Sequence, residues 1–256
     1  MSARLNSLPN TRKERPVSGT LTKAKLLGIM IVIQGLAHAA PETNKNDVPK
    51  KPPVPERVKP LLFEAGKSFA AGNLKTAEEL YRKALGQEPD SAVILVSAAA
   101  VKTRLGKIDE SRGMLRKALS LDLDSAPAWQ LLGMNALEQK RDDEAFACLT
   151  QATLHDEKNP RAHNYLGMAA GRKGWTEASE QELRRAVELD PNYADANFNL
   201  AVLYLGRTPP LVELARRHYQ RALDLGAQRD PSIEKLIAKA VASEPSDSAR
   251  SPSSEH

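Results

Sequence analysis

Metal and acid–base chemistry require imidazole, thiol and carboxylate groups gathered within a few ångströms. The five histidines, His38, His155, His163, His218 and His256, include no pair spaced four residues apart, and the one cysteine, Cys148, has no partner for an intrachain disulfide. Asp142-Asp143-Glu144 has the charge to draw a cation, but at the head of a predicted helix these carboxylates more simply complement the helix dipole. Gly171-Arg172-Lys173-Gly174 follows no strand and therefore reads as a turn between helices, not a phosphate loop. Cys148, between Ala147 and Leu149, reads as a small buried apolar residue, and His163 as a half-buried structural histidine. No catalytic, cofactor or metal site is expected, and the chain reads as a non-enzyme.

The elements that carry these residues announce themselves by period. Ala84, Ala118, Ala152 and Ala186 recur every 34 residues, with Ala222 after a further 36. Ala65, Ala99, Gly133, Gly167 and Ala201 keep the 34-residue interval throughout. Two in-phase series of small residues mark a repeated pair of amphipathic helices whose backbones meet at the small side chains while larger apolar groups fill the flanks.

On these residues the chain resembles the tetratricopeptide-repeat family. The third unit supplies Trp129, Leu132-Gly133, Ala145 and Ala152; the fourth supplies Leu166-Gly167, Ala186 and Pro191. The first supplies Gly72, Ala77, Tyr81, Ala84 and Pro89, and the fifth Leu200, Tyr204, Ala215, Tyr219 and Ala222. The resemblance implies an all-α, right-handed superhelical solenoid of five helix-turn-helix units at 58–91, 92–125, 126–159, 160–193 and 194–229. A capping helix is expected at 230–242 and a disordered polar tail at 243–256. Three departures bear on geometry. Position 32 lacks proline in units 2, 3 and 5, where Leu123, Glu157 and Ala227 stand. Pro209-Pro210 lies in a turn two residues longer than the others, and Trp175 and Ala178 sit one place early, so the second helix of unit 4 is expected to start differently.

The net charge of +5 would suggest a nucleic-acid or anionic-membrane partner, but residues 1–39 hold all of it: six basic side chains against Glu14. The repeat-bearing remainder is neutral, and no nucleic-acid partner is expected. A basic start, the 12-residue apolar run Leu26–Ala37 and Ala37-His38-Ala39 have the layout of a cleaved export signal over 1–39. The run is short of the ~20 residues that cross a bilayer, so stable insertion is not expected after cleavage; retention as a membrane anchor is the alternative. Residues 40–57 read as a proline-rich linker. The expected location is the periplasm or envelope of a bacterium.

The resemblance places binding on the concave face of the first helices. Those positions include Val93, Val96, Ser97 and Ala100 in unit 2, and Gln130, Leu131, Met134, Leu137 and Glu138 in unit 3. Unit 4 contributes Arg161, Asn164, Tyr165, Met168 and Arg172, and unit 5 Asp195, Phe198, Asn199 and Val202. A peptide groove is expected over Gln130, Met134, Arg161, Asn164, Tyr165, Met168, Arg172, Phe198 and Asn199, with amides meeting a peptide backbone and Tyr165 with Phe198 as apolar anchor. The partner is a protein or peptide, and the chain an exported scaffold that positions an envelope component. A self-associating or membrane-tethered scaffold, or an enzyme with an unrecognised site, are the competing readings.

Overall fold

The small-residue period becomes a period of helices. The computed structural model describes residues 54–243. The expected signal over 1–39, the linker up to residue 53 and the tail beyond 243 lie outside the described residues. After a short 3-10 turn at Glu56–Val58 come five helix pairs: α1 (Lys59–Ala70) with α2 (Leu74–Gln87), α3 (Ala92–Arg104) with α4 (Ile108–Leu121), α5 (Ala126–Glu138) with α6 (Asp142–His155), α7 (Pro160–Arg172) with α8 (Thr176–Leu189), and α9 (Ala194–Leu205) with α10 (Val212–Asp224). A single helix, α11 (Pro231–Ser243), follows, and the described residues contain no strand. Each helix packs mainly on its neighbours in sequence, giving a right-handed superhelical solenoid.

Close approach explains the small residues. Ala65, Ala99 and Ala201 are fully buried, as are Ala84, Ala118, Ala152, Ala186 and Ala222. A Cβ added at Gly133 would lie 2.5 Å from Leu149 Cγ, and one at Gly167 would lie 2.7 Å from Leu183 Cγ. These distances leave no room for a side chain without moving the second helix.

The turn inside each of the first four units needs one left-handed residue. Gly72, Gly106 and Gly174 supply it at φ 77°, 73° and 75°, whereas Lys140 adopts it at φ 57° with a Cβ in place. Between units, the backbone N–H groups of Glu88, Asp122, Asp156 and Asp190 cap α2, α4, α6 and α8 by bonding Ala84, Ala118, Ala152 and Ala186 oxygens at 2.9–3.0 Å. Because this cap is independent of proline, α4 and α6 end in register although Leu123 and Glu157 replace it.

The altered start expected for the second helix of unit 4 is not found. Helix α8 begins at Thr176, in step with Ile108 and Asp142. Its crossing residue is Ser179, buried like Ser111 two units earlier, so serine simply takes the place of alanine and Ala178 is not displaced. Trp175 stays outside the helix, its ring edge-on to Phe146 at 4.8 Å and under the Lys173 ammonium at 4.5 Å. The longer turn of unit 5 is absorbed between Gly206 and Leu211, where Leu211 N–H donates to Tyr204 O at 3.0 Å and α10 still buries Ala215, Tyr219 and Ala222.

Helix α11 closes the last apolar face. Ile233 and Ile237 join the cluster of Ala201 and Tyr219. The Asp230 carboxylate accepts from Ser232 N–H at 2.9 Å, capping the helix, and these bonds from Ser232 hold its acidity strong, below the usual carboxylate range. No helix among the described residues is long and apolar enough to cross a membrane.

Candidate functional site

The first helices present two separate openings. A cavity of about 530 Å³ runs over units 1 to 4, with Val96, Ala100, Leu131, Met134 and Tyr165 as apolar lining and Gln130, Arg104 and Arg161 as polar lining. Among the described residues no acidic side chain lines it, and neither arginine is in an ion pair. The Arg104 guanidinium instead lies 5.0 Å over the Phe69 ring. A second opening, of about 380 Å³, lies between units 4 and 5 and holds Met168, Arg172, Asn199 and Val202.

The expected groove is therefore divided. Gln130, Met134, Arg161 and Tyr165 share the larger opening; Met168, Arg172 and Asn199 share the smaller. Asn164 stands between them but is only 2 % exposed, and it does not offer a free amide: its Oδ1 accepts from Asn199 Nδ2 at 2.9 Å, and its Nδ2 reaches the Tyr193 hydroxyl at 3.5 Å. This pair ties unit 4 to unit 5, which corrects the view that both amides face a peptide. A buried amide without partners is costly, and here each serves as the other's partner. Burial, with the nearby Tyr165 and Asp195, pushes the Tyr193 phenol up to about 12, so it stays protonated against Asn164.

Three further residues act differently from expectation. Phe198 turns toward the capped end, where it packs on the Ala201, Tyr219 and Ile233 cluster with its ring 6.1 Å from that of Tyr219. Tyr165 packs instead with Leu137, Leu149 and Leu166, so the two aromatics form no common anchor. Arg172 is occupied as well, its Nη1 donating to Leu137 O at 2.7 Å and its Nε lying 3.0 Å from Asp142. Sequence reasoning missed Phe69, Thr103 and Arg104. The signal was present, since Arg104 and Arg172 hold the same position of their units.

The residues that first suggested chemistry are engaged structurally. Asp142, Asp143 and Glu144 pair with Arg172, Lys173 and with Arg112 and Arg141. Burial, then Glu144, pushes the Cys148 thiol up to about 11, far from a reactive thiolate. His163 Nδ1 lies 2.7 Å from Glu182 and Nε2 lies 3.0 Å from Glu157 O, two acceptors that favour the imidazolium and raise its pKa. His218 is lowered by burial and by Arg217 and Arg184. Among the described residues no group of three or more His, Cys, Asp or Glu side chains is placed to hold a metal ion.

One polar cluster lies between the concave surface and the core. Thr103 Oγ1 donates to Asn135 Oδ1 at 2.9 Å, and Asn135 Nδ2 donates to Ser111 Oγ at 2.9 Å. Thr103 and Ser111 hydroxyls are also 2.9 Å apart. With the Thr103 proton committed to Asn135, Ser111 donates to Thr103, and the three side chains close a ring of hydrogen bonds across units 2 and 3.

Comparison with known proteins bears on all of this. Tetratricopeptide-repeat profiles match residues 68–134, 160–193 and 182–224. Human tetratricopeptide repeat protein 7A is 32% identical over 101 residues, covering 39% of this chain and 12% of its own. The TPR repeat-containing protein YpiA of Bacillus subtilis is 24% identical over 141 residues, covering 53% of this chain and 32% of its own. The chain thus spans a third or less of these curated relatives. Among solved structures, Pseudomonas aeruginosa pilF aligns with TM-score 0.65 at 23% identity, over 73% of this chain and 85% of that one. TTC0263 of Thermus thermophilus aligns with TM-score 0.58 at 19% identity, over 72% and 99%. YrrB, described as a TPR protein with an unusual peptide-binding site, aligns with TM-score 0.54 at 22% identity, over 72% and 92%.

Proposed function

The chain belongs to the tetratricopeptide-repeat family, a protein-binding scaffold fold, and on that premise we propose that it is an exported, non-enzymatic adaptor. It holds an extended segment of a partner protein in the concave opening over units 1 to 4 and so positions an envelope component. The observation that carries this is the lining itself. An apolar platform of Val96, Leu131, Met134 and Tyr165 is bordered by Gln130 and by Arg104 and Arg161, neither in an ion pair among the described residues, a surface that offers contact area, an amide and positive charge together. The peptide-binding site described for YrrB on a similar fold supports the same use of this stack. The leading basic and apolar residues support export.

The test is crosslinking capture from cells with the parent chain, with Gln130→Ala plus Tyr165→Ala, and with Arg184→Glu on the outer face. Loss of one captured partner about 10-fold or more in the groove variant alone is expected. Loss only in Arg184→Glu would sink the groove. Mass spectrometry of the processed protein should place its N-terminus at Ala40; an intact Met1 in the membrane pellet would contradict export by cleavage.

A further inference from the structure

The smaller opening, between units 4 and 5, has an unmatched polar group at its floor. Ser179 is 2 % exposed and lines the opening, and among the described residues its hydroxyl has no hydrogen-bond partner. Buried hydroxyls are ordinarily paired. The ring of Thr103, Ser111 and Asn135 shows how this chain satisfies the equivalent hydroxyl two periods earlier. At the corresponding places stand Gly171, Ser179 and Leu203, so Ser179 has lost both partners. The space vacated by the threonine side chain opens to the concave surface. A Cβ at Gly171 would lie 3.1 Å from Ser179 Oγ, so the hydroxyl borders that space directly.

The remaining lining defines the occupant. Met168, Leu183, Val202 and Leu203 require an apolar body. Asn199 commits its Nδ2 to Asn164 and keeps acceptor capacity on Oδ1, while Arg172 is held by Asp142 and Leu137 O. The polar demand is therefore for a neutral tip that both donates and accepts. A phenol supplies the body and that tip; a phenyl group leaves Ser179 unpaired, and a carboxamide lacks the apolar body.

We infer that this opening receives a tyrosine side chain of the partner segment. The inference rests on the proposed binding of a segment along the concave surface, and it names a residue that segment carries. Binding replaces the missing threonine hydroxyl with one brought by the partner.

The test titrates acetyl-Ala-Ala-Tyr-Ala-Ala-amide, its phenylalanine counterpart and free p-cresol into the isotope-labelled full-length chain, following the Gly171, Gly206 and Asn199 amide resonances. The tyrosyl peptide should bind about 5- to 10-fold tighter than the phenylalanyl one, the scale of one hydrogen bond. Ser179→Ala should bring the two to parity. Gly171→Thr, which restores the threonine–serine pair of unit 2, should remove binding of both while the unfolding temperature holds or rises. Equal binding of the two peptides to the parent, or binding that survives Gly171→Thr, overturns the inference. Tighter binding of p-cresol than of the tyrosyl peptide also overturns it, in favour of a free small phenol. A silent tyrosyl peptide alongside partner capture that still depends on Gln130 and Tyr165 removes this pocket and leaves the larger groove standing.

Discussion

The junction of units 2 and 3 and the junction of units 4 and 5 are built from the same helix pairs and have opposite interiors. In the first, Thr103, Ser111 and Asn135 satisfy one another and fill the space between helices. In the second, Gly171, Ser179 and Leu203 leave a hydroxyl unmatched and an opening of about 380 Å³. The difference teaches that the crossing at the small residues sets the fold, and that the positions beside it are free to seal a seam or to open one. Sealing consumes polar groups in pairs; opening leaves one behind for something else to meet.

The largest effect should come from the crossing itself. Gly167→Leu forces a side chain against Leu183 and should destabilise the chain by roughly 1–3 kcal/mol or more, read as a lower midpoint in urea. An unchanged midpoint would mean that the crossing does not hold the two junctions alike. Next, Asn135→Leu gives the sealed junction the leucine of the open one. It leaves the Thr103 and Ser111 hydroxyls with only each other, one donor unmatched, and should cost about 1–3 kcal/mol, whereas Leu203→Asn in the open junction, with Ser179 as a ready partner, should cost clearly less. Equal losses at both would erase the contrast.

Gly171→Thr seals the open junction. Once the Ser179 hydroxyl turns aside from the added Cβ, which would otherwise lie 3.1 Å from it, replacing a helical glycine and pairing Ser179 should stabilise by up to about 1 kcal/mol in thermal unfolding. A loss of stability would show that the opening is not equivalent to the space Thr103 fills. Smallest is a pH effect on the flank of unit 4. His163, raised by Glu182 and Glu157 O against the opposing charge of Arg185, contributes stability that is fully present below its unfolded value of about 6.5 and fades as pH rises through its raised folded value. The stability gap between the parent and His163→Gln should therefore narrow from pH 5 to pH 9. His218, lowered by burial, runs the other way: its contribution grows from its lowered folded value up to about 6.5. A gap for His163 that widens with pH would reverse the assignment.

The crossing was legible in the sequence because alanine and glycine there have one physical reason to recur, the lack of space. The amides were not. Asn164 and Asn199 occupy face positions that read as ligand-binding, and only the placement of one beside the other shows that the pair is spent inside the seam. Phe198 was misjudged for a similar cause: its position borders the groove in a middle unit but borders the cap in the last one. Ser179 is hard to read because serine fills the crossing place that Ala145 holds one unit earlier, while an alanine, Ala178, stands directly beside it. Arg104 was recoverable from register alone, by carrying the position of Arg172 back by two periods.

The packing of each helix chiefly on its sequence neighbours has a consequence for how the molecule fails. A globular core melts as one body, but a linear stack behaves like a zipper, with a free energy for each tooth and one for each link. Disturbance at one tooth fades over the next one or two. The ends have one link each and the middle has two, so amide exchange should slow from the outer helices toward α5 and α6, and α11 acts as the stop that keeps the zipper from running open at its far end.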